Sequence, residues 1–388
     1  MPSDSIAITG LGAISACGNN TDETLHNFSK GARSAGKVSL FKTELDYPVF
    51  EVKGFSQENK FMMRTIVLSF CAVKEALQEA RLEGKLGDFR VGICLGTTVA
   101  SQLNDTDFYS AYRDKGSAPM DSVNRYLKSN LAGCIAEFLN LRPKLCATIV
   151  NACSSGTDAI GAGLSWLRNN YCDIVIAGGA DELNRVPYDG FSALSVMSKT
   201  LCAPFDRDRL GLNLGEGSGV VILERASLRG KNNFKLNLCG YGLAADAYHL
   251  TAPRPDGSGL ENALSQALNE ANIYVKDVDF INAHGTATHD NDLVEGSVLA
   301  RVFGSKIKFL STKGFTGHTL GGAGGLEAVF TCLGLREGWV PNSAGFENID
   351  EKIGIAPVKE RTRVSGKYAI STSLAFGGNN SALVFSRN

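Results

Sequence analysis

Three short segments carry side chains whose chemistry could work together. Asn151-Ala152-Cys153-Ser154-Ser155-Gly156 follows the apolar run Ala147–Val150 and precedes a helical pattern through Leu167. Cys153 is therefore expected at a strand-to-helix turn, beside the unpaired N–H groups and partial positive charge of a helix start, which favour a thiolate. The second segment, Asn282-Ala283-His284-Gly285-Thr286-Ala287-Thr288, again closes an apolar run. The third, Ser311-Thr312-Lys313-Gly314-Phe315-Thr316-Gly317-His318, leads into Gly321-Gly322-Ala323-Gly324-Gly325 and a helical stretch bearing Glu327. Of the five histidines, His284 and His318 fall at strand ends in glycine-flanked loops, where functional groups are preferentially displayed. A cysteine that attacks a thioester, with histidines to donate hydrogen bonds or move protons, is acyl-transfer chemistry. Two imidazoles converging on one sulfur suit a narrower task. When a malonyl thioester loses carbon dioxide, its enolate oxygen can be held by two N–H donors, and its carbon can then attack the acyl group on the cysteine.

Other candidate sites have simpler explanations. Gly10-Leu11-Gly12 after the first apolar run imitates a dinucleotide fingerprint, but Ser15 occupies the third glycine position and no acidic residue ends a second strand about twenty positions on. Gly321–Gly325 has no Gly-Lys-Ser or Gly-Lys-Thr ending, so close packing of helix on strand explains it better than phosphate binding. His284, His289, Asp290 and Asp292 could chelate zinc, yet they lack the helical spacing usual for such sites. His26 and His249 have polar surroundings and read as surface residues. Lys313, between an apolar run and a histidine loop, and Glu327, among small neighbours, are expected to be buried.

These residues must be positioned by an α/β framework. Apolar runs at 6–9, 91–95, 147–150, 174–177, 220–223, 280–283, 309–311, 369–372 and 382–385 read as strands, and their near-continuous apolarity suggests a sheet covered on both faces. Between them, 62–80, 156–167, 260–271 and 322–335 carry apolar residues at helical spacing. A charged, polar stretch at 225–233 divides the chain into two α/β halves, 1–230 with the cysteine and 231–388 with the histidines. At 388 residues a large buried core is attainable. Lysine plus arginine number 39 against 40 for aspartate plus glutamate, so no global field draws in nucleic acid or an acidic membrane. No apolar run reaches the ~18–20 residues of a membrane helix, and the first residues carry no basic flank before an apolar segment, so the expected location is the cytoplasm. The ten cysteines form no Cys-x-x-Cys pair, and several, including Cys94, Cys146 and Cys172, lie in strand-like runs as reduced core residues.

Taken together, in this order and spacing, the three segments resemble the β-ketoacyl synthase family, specifically its Cys-His-His elongating branch. The resemblance spans nearly the whole chain and includes Phe205-Asp206-Arg207-Asp208-Arg209, Gly215-Glu216-Gly217-Ser218-Gly219 and Phe376-Gly377-Gly378-Asn379-Asn380. It implies the thiolase fold, with duplicated βαβαβαββ halves in an α-β-α-β-α layering. It also implies that Cys153 is acylated, that the N–H groups of Cys153 and Phe376 form the oxyanion hole, and that His284 and His318 assist decarboxylation and condensation. Lys313 and Glu327 would organise the histidines, Thr286 and Thr288 would hydrogen-bond the phosphopantetheine arm of an acyl carrier protein, and Phe376 would gate the pocket. No cofactor beyond that arm, and no metal, is implied. Residues 101–141 would contribute to a dimer face and the acyl pocket.

Some positions depart from the family pattern. Where Phe-Gly-Phe-Gly-Gly-Thr is common, this chain has Leu374-Ala375-Phe376-Gly377-Gly378-Asn379, so Ala375 adds a Cβ to a mobile loop. Arg-Asp-Gly appears as Arg209-Leu210-Gly211. Both changes point toward a specialised relative with altered gate motion. A coenzyme A-dependent thiolase would need a second cysteine near the C-terminal end, and none follows Cys332. A non-catalytic, pocket-shaping partner subunit would lack the nucleophile, whereas Cys153, His284 and His318 are all present. The chain thus reads as the catalytic member of a homodimer, or of a heterodimer with a ketosynthase-like chain-length subunit. A simple cysteine hydrolase would release free acid from an acyl thioester alone. Fatty-acid and type II polyketide or polyene synthesis share this chemistry, and nothing in the sequence chooses between them.

Overall fold

Two strand-helix series built on the same plan make up the computed structural model, which describes residues 5–54, 63–98, 106–121, 123–124, 130–228 and 235–388. The first series is β1 (Ile6–Ser15), α1 (Thr21–Lys30), α2 (Arg64–Ala80), β2 (Val91–Gly96), α3 (Thr106–Lys115), α4 (Leu131–Phe138), β3 (Leu145–Ile149), α5 (Ser155–Arg168), β4 (Ile174–Asp181), α6 (Arg185–Ala193) and β5 (Gly217–Arg225). The second is β6 (Leu236–Ala245), α7 (Ser258–Ala271), β7 (Val278–Asn282), α8 (His289–Phe303), β8 (Lys308–Leu310), α9 (Lys313–Thr316), α10 (Ala323–Glu337), β9 (Trp339–Val340), β10 (Thr362–Arg363), β11 (Tyr368–Ala375) and β12 (Asn379–Arg387). The strand order β3-β2-β4-β5-β1-β6-β12-β11-β7-β8 is symmetric about its centre. In each half an antiparallel pair (β1/β5, β6/β12) leads through a second antiparallel pairing (β4/β5, β11/β12) to two parallel ones. Among the described residues, three pairs, Ile6–Leu238, Ala7–Asn237 and Ile8–Leu236, join the halves at the β1/β6 seam.

The strands are apolar on both faces because both faces are covered. On β4, Ile174 and Ile176 face a core shared with Leu68, Ala72 and Ala76 of α2. Val175 and Ala177 face the opposite way, into a core with Ile160 and Leu164 of α5 and Val329 and Leu333 of α10. This is the two-residue alternation of a strand, expressed twice with apolar residues. Helices α5 and α10 touch each other and strands of both halves, forming the middle layer. Helix α2 covers the first half on its outer side, and α7 and α8 cover the second around Leu264, Val298, Ile281 and Ile370. The architecture is the layered thiolase-like fold.

Gly10-Leu11-Gly12 has a packing origin. A methyl on Gly12 would sit 1.9 Å from the Ala72 carbonyl oxygen of α2, and one on Gly242 of β6 would sit 1.9 Å from the Ala263 oxygen of α7. Both halves therefore use the same Gly-x-Gly strand pressed onto an alanine-lined helix. Those glycines, with Asn237, interrupt the apolar run of β6 and hide it from a reading by hydrophobicity. Gly321–Gly325 serves comparable contacts: methyls on Gly324 and Gly325 would meet Thr157 Oγ1 at 2.0 Å and the Gly219 oxygen at 2.3 Å.

Four expectations need amendment or fall outside the described residues. Cys146 is exposed rather than buried, because β3 is an edge strand of the sheet, with no neighbouring strand on one side among the described residues. The expected boundary between 1–230 and 231–388 lies within 229–234, outside the described residues, as does Met62 at the start of the expected helix. Within the segment 101–141, residues 101–105, 122 and 125–129 also lie outside them.

Candidate active site

The end of β3 delivers the chain into a tight turn before α5. Ala152 adopts φ +49°, a left-handed conformation that costs an L-residue roughly 1–2 kcal/mol. Local bonds hold it: Ser154 Oγ donates to the Asn151 carbonyl at 2.9 Å, Ser155 Oγ to the Ala152 carbonyl at 2.6 Å, and the Asn151 N–H to Ser155 Oγ at 2.8 Å. The turn sets Cys153 two residues before α5, buried, with its sulfur taking a hydrogen bond from the Phe376 N–H. Burial pushes the thiol up to about 11, against the pull of the Lys313 charge and the Phe376 N–H. This corrects the expectation of a resting thiolate, since loss of hydration outweighs the helix start.

The loops after β7 and β8 bring both imidazoles to this sulfur. The Cys153 sulfur and one ring nitrogen from each of His284 and His318 lie within 4.8 Å of one another. The two rings stand edge to face, with centroids 5.2 Å apart and planes at 84°. Each ring's tautomer follows from its partner on the far side. Nδ1 of His318 accepts the Leu320 N–H at 3.2 Å, so its proton sits on Nε2. Nδ1 of His284 lies 3.0 Å from Lys313 Nζ, which also donates to the His284 carbonyl at 2.6 Å and to the Glu327 carboxylate. An ammonium has three donors and no acceptor, so these three acceptors use it fully and leave His284 with an Nε2–H. Burial first, then the Lys313 charge, holds both imidazoles well below their usual range, so both are neutral donors near pH 7. Burial raises the Glu327 carboxyl to about 7 against the opposing pull of Lys313.

The trio opens into a cleft of about 390 Å³ lined by Thr286, Thr288, Phe191, Leu212 and Phe376. The Thr286 and Thr288 hydroxyls, both on residues lining the cleft, are 2.8 Å apart. The Phe376 ring stacks on Phe191 of α6 with centroids 5.5 Å apart. Leu210 is 70% exposed at the cleft mouth, where it presents an apolar surface.

Glu295 and Asp181 also shape the site but were not singled out from sequence, and Arg209, noted there within a matching motif, was given no role. Glu295 of α8, fully buried, accepts the His284 and Gly285 N–H groups, both at 2.8 Å, and the Thr372 hydroxyl at 2.7 Å. Arg209 is buried and ion-paired with Asp350 at 2.7 Å, and it donates to the His289 carbonyl at 2.9 Å, which fixes the start of α8 just beyond Thr288. Asp181, at the end of β4, accepts from Thr97, Thr98 and the Gly321 N–H and ties the glycine-rich turn to the sheet. A carboxylate in an otherwise apolar helical run is the signal that could have marked Glu295.

The alternative zinc set does not assemble. His289 and Asp290 are exposed, and Asp292 is buried, accepting from the N–H groups of Phe205 and Ala287. Among the described residues, Cys153, His284 and His318 are the cysteine, histidine or acidic side chains close enough to share an ion. The ammonium of Lys313, 3.0 Å from His284, opposes a second cation there.

Comparison with known proteins agrees with this geometry. Residues 3–228 match the model of the β-ketoacyl synthase N-terminal domain, and residues 237–347 that of the β-ketoacyl synthase C-terminal domain. The chain belongs to the β-ketoacyl synthase family. It is 33% identical to a Staphylococcus aureus (strain COL) protein named 3-oxoacyl-(acyl-carrier-protein) synthase 2, with 98% of each chain covered. Among solved structures it resembles the ishigamide ketosynthase/chain length factor (TM-score 0.93, 27% identity, all of both chains). It also resembles a complex from Xenorhabdus doucetiae of the ketosynthase ApeO with its chain length factor ApeC (TM-score 0.84, 28% identity, 100% and 99% coverage).

Proposed function

We propose that this chain condenses an acyl thioester with malonyl-acyl carrier protein, releasing carbon dioxide and forming a 3-oxoacyl-acyl carrier protein. Cys153 loses its thiol proton as it attacks the acyl carbonyl, and the carrier's thiol leaves with a proton. The oxyanion formed is held by the N–H groups of Cys153 and Phe376. Malonyl-carrier then enters, its carboxylate departs as carbon dioxide, and the enolate oxygen is held by the Nε2–H groups of His284 and His318. The enolate carbon attacks the acyl-cysteine, the new carbon–carbon bond forms, and the Cys153 sulfur leaves and regains its proton. Lys313 and Glu327 keep His284 in the donor tautomer, and Thr286 and Thr288 line the approach of the phosphopantetheine arm.

The observation that carries this reading is the approach of one sulfur and two neutral imidazoles to within 4.8 Å in a single cleft. Cys153 is the cysteine lining that cleft, which favours condensation over coenzyme A-dependent thiolysis with its second thiol. The carrier partner follows from the names of the relatives, and pairing with a second ketosynthase-like chain from the Xenorhabdus complex. We place the reaction in cytoplasmic fatty-acid or type II polyketide or polyene synthesis; no described helix is long and apolar enough to cross a membrane. The test is product formation from an acyl-carrier panel with malonyl carrier: 3-oxoacyl-carrier is expected, whereas free acid alone would indicate a hydrolase.

A further inference from the structure

The proposed oxyanion hole draws its two N–H groups from opposite halves of the chain, Cys153 and Phe376, so no covalent path fixes their separation. We propose that Asn151 and Asn379 form a clasp that fixes it, acting as positioning residues for the acyl-transfer steps. This rests on the reading of Cys153 as the nucleophile.

Asn151 sits two residues before Cys153, and Asn379 three residues after Phe376. Nδ2 of Asn151 donates to Asp158 Oδ2 at 2.5 Å, which turns its Oδ1 outward to accept Nδ2 of Asn379 at 2.6 Å. Asp158 is itself anchored, accepting Ser154 Oγ at 2.8 Å, Tyr241 Oη at 2.9 Å and the Ser381 hydroxyl. The Asn151 amide is thus pinned to α5 on one side and has one outward acceptor to offer. On the other side, Gly377 (φ +90°) and Gly378 (φ +81°) are all that separates Phe376 from Asn379, the first residue of β12. Side chains within this turn give it little stiffness, and the Asn379 amide lies beneath it, 3.7 Å from where a methyl on Gly377 would be. The Ala152 turn is held by Ser154 and Ser155 in the first half, and the two-glycine turn by the Gly377 N–H to the Leu250 carbonyl at 2.8 Å and the Asp246 N–H to the Gly378 carbonyl at 2.7 Å in the second; the bond between the asparagines ties one turn to the other. Threonine, which the family often carries at position 379, offers a hydroxyl on a shorter side chain in place of this amide donor.

The clasp makes a prediction that a general structural role does not. Loading of Cys153 uses the oxyanion hole, whereas decarboxylation of malonyl carrier uses the histidine donors. Single-turnover loading from an acyl carrier protein, followed by intact mass, would be compared with carbon dioxide release from malonyl carrier protein for the wild type, N151A, N379A, N379T and N151A/N379A. Each single variant is expected to slow loading by about 10-fold or more, short of the ~10²–10³ for loss of an oxyanion donor. Carbon dioxide release should stay within about twofold, which also shows that the variants fold, and the double variant should load no more slowly than the slower single. Loading near the wild-type rate, additive effects in the double variant, or equal slowing of both steps would overturn the clasp. A wild type that never acylates Cys153 would instead overturn the nucleophile assignment beneath it.

Discussion

At the scale of single residues, the site combines groups whose ionisation is set by burial rather than by their ordinary acidity. Both imidazoles are kept neutral by loss of hydration and by the Lys313 charge, and the thiol is kept protonated. Neutral imidazoles are useful here because each presents an Nε2–H donor fixed by a partner at Nδ1. The thiol must then lose its proton during attack. With its pKa pushed up to about 11, the rate of Cys153 acylation should climb with pH across the neutral range. Rapid-quench loading assays would check this, and a rate already level by about pH 6.5 would show that the helix start outweighs burial after all. The meeting of Cys153, His284 and His318 was legible in sequence because each ends an apolar run in a glycine-flanked loop. Glu295 and Asp181 were not, because their partners, threonine hydroxyls and backbone N–H groups distant in sequence, are brought near only by the folded chain.

At the scale of elements, close approach of helix and strand determines where glycine must stand. Gly242 of β6 has no room for a methyl against the Ala263 carbonyl, so G242A should cost roughly 1–3 kcal/mol of stability as the helix is forced outward. Urea unfolding would report it, and an unchanged midpoint would mean α7 shifts without penalty. Glu182, where β4 ends against the start of α2, offers a pH test. Its Oε2 accepts the Thr65 N–H at 2.7 Å, while Oε1 has no partner among the described residues. Burial, with the nearby Glu216 charge, raises it from 4.5 to about 8 despite the Thr65 bond. A group bound more tightly to its proton when folded stabilises below its unfolded pKa and loses that contribution as pH rises through the folded one. E182Q should therefore gain in Tm relative to the wild type between pH of about 5 and about 8. A constant difference across that window would contradict the assignment. The central strands were readable from hydrophobic runs, but β6 was not, because its packing demands Gly240 and Gly242 where an apolar run would otherwise continue.

At the scale of the whole molecule, two repeats meet at the β1/β6 seam, and the proposed catalytic groups come from both. Cys153 belongs to the first repeat, while His284, His318 and Phe376 belong to the second, so the site exists only when the repeats pack together. The duplication was implied by family resemblance; no short period in the sequence announces it, since the shared features are contact geometries rather than repeated residues. Among the described residues β3 is the outermost strand on its side of the sheet; it bears exposed Cys146 and leads to Val150, 57% exposed. An apolar sheet edge of this kind invites pairing with another chain, in keeping with the proposed ketosynthase-like partner. V150K should weaken that association, shifting sedimentation toward the monomer at low protein concentration, whereas an unchanged dimer would move the interface elsewhere.

The central claim is that one sulfur and two imidazoles, far apart in sequence, act on one substrate in one pocket. Intact-protein mass after acyl-carrier treatment, followed by malonyl carrier and a carbon dioxide measurement, tests it directly on the wild type, C153A, H284A and H318A. The expected result is an acyl mass gain that C153A lacks and that H284A and H318A retain, with condensation and carbon dioxide release slowed in both histidine variants by about 10²-fold or more. Acylation that persists in C153A, or histidine variants that discharge the acyl group onto malonyl carrier at the wild-type rate, would contradict it.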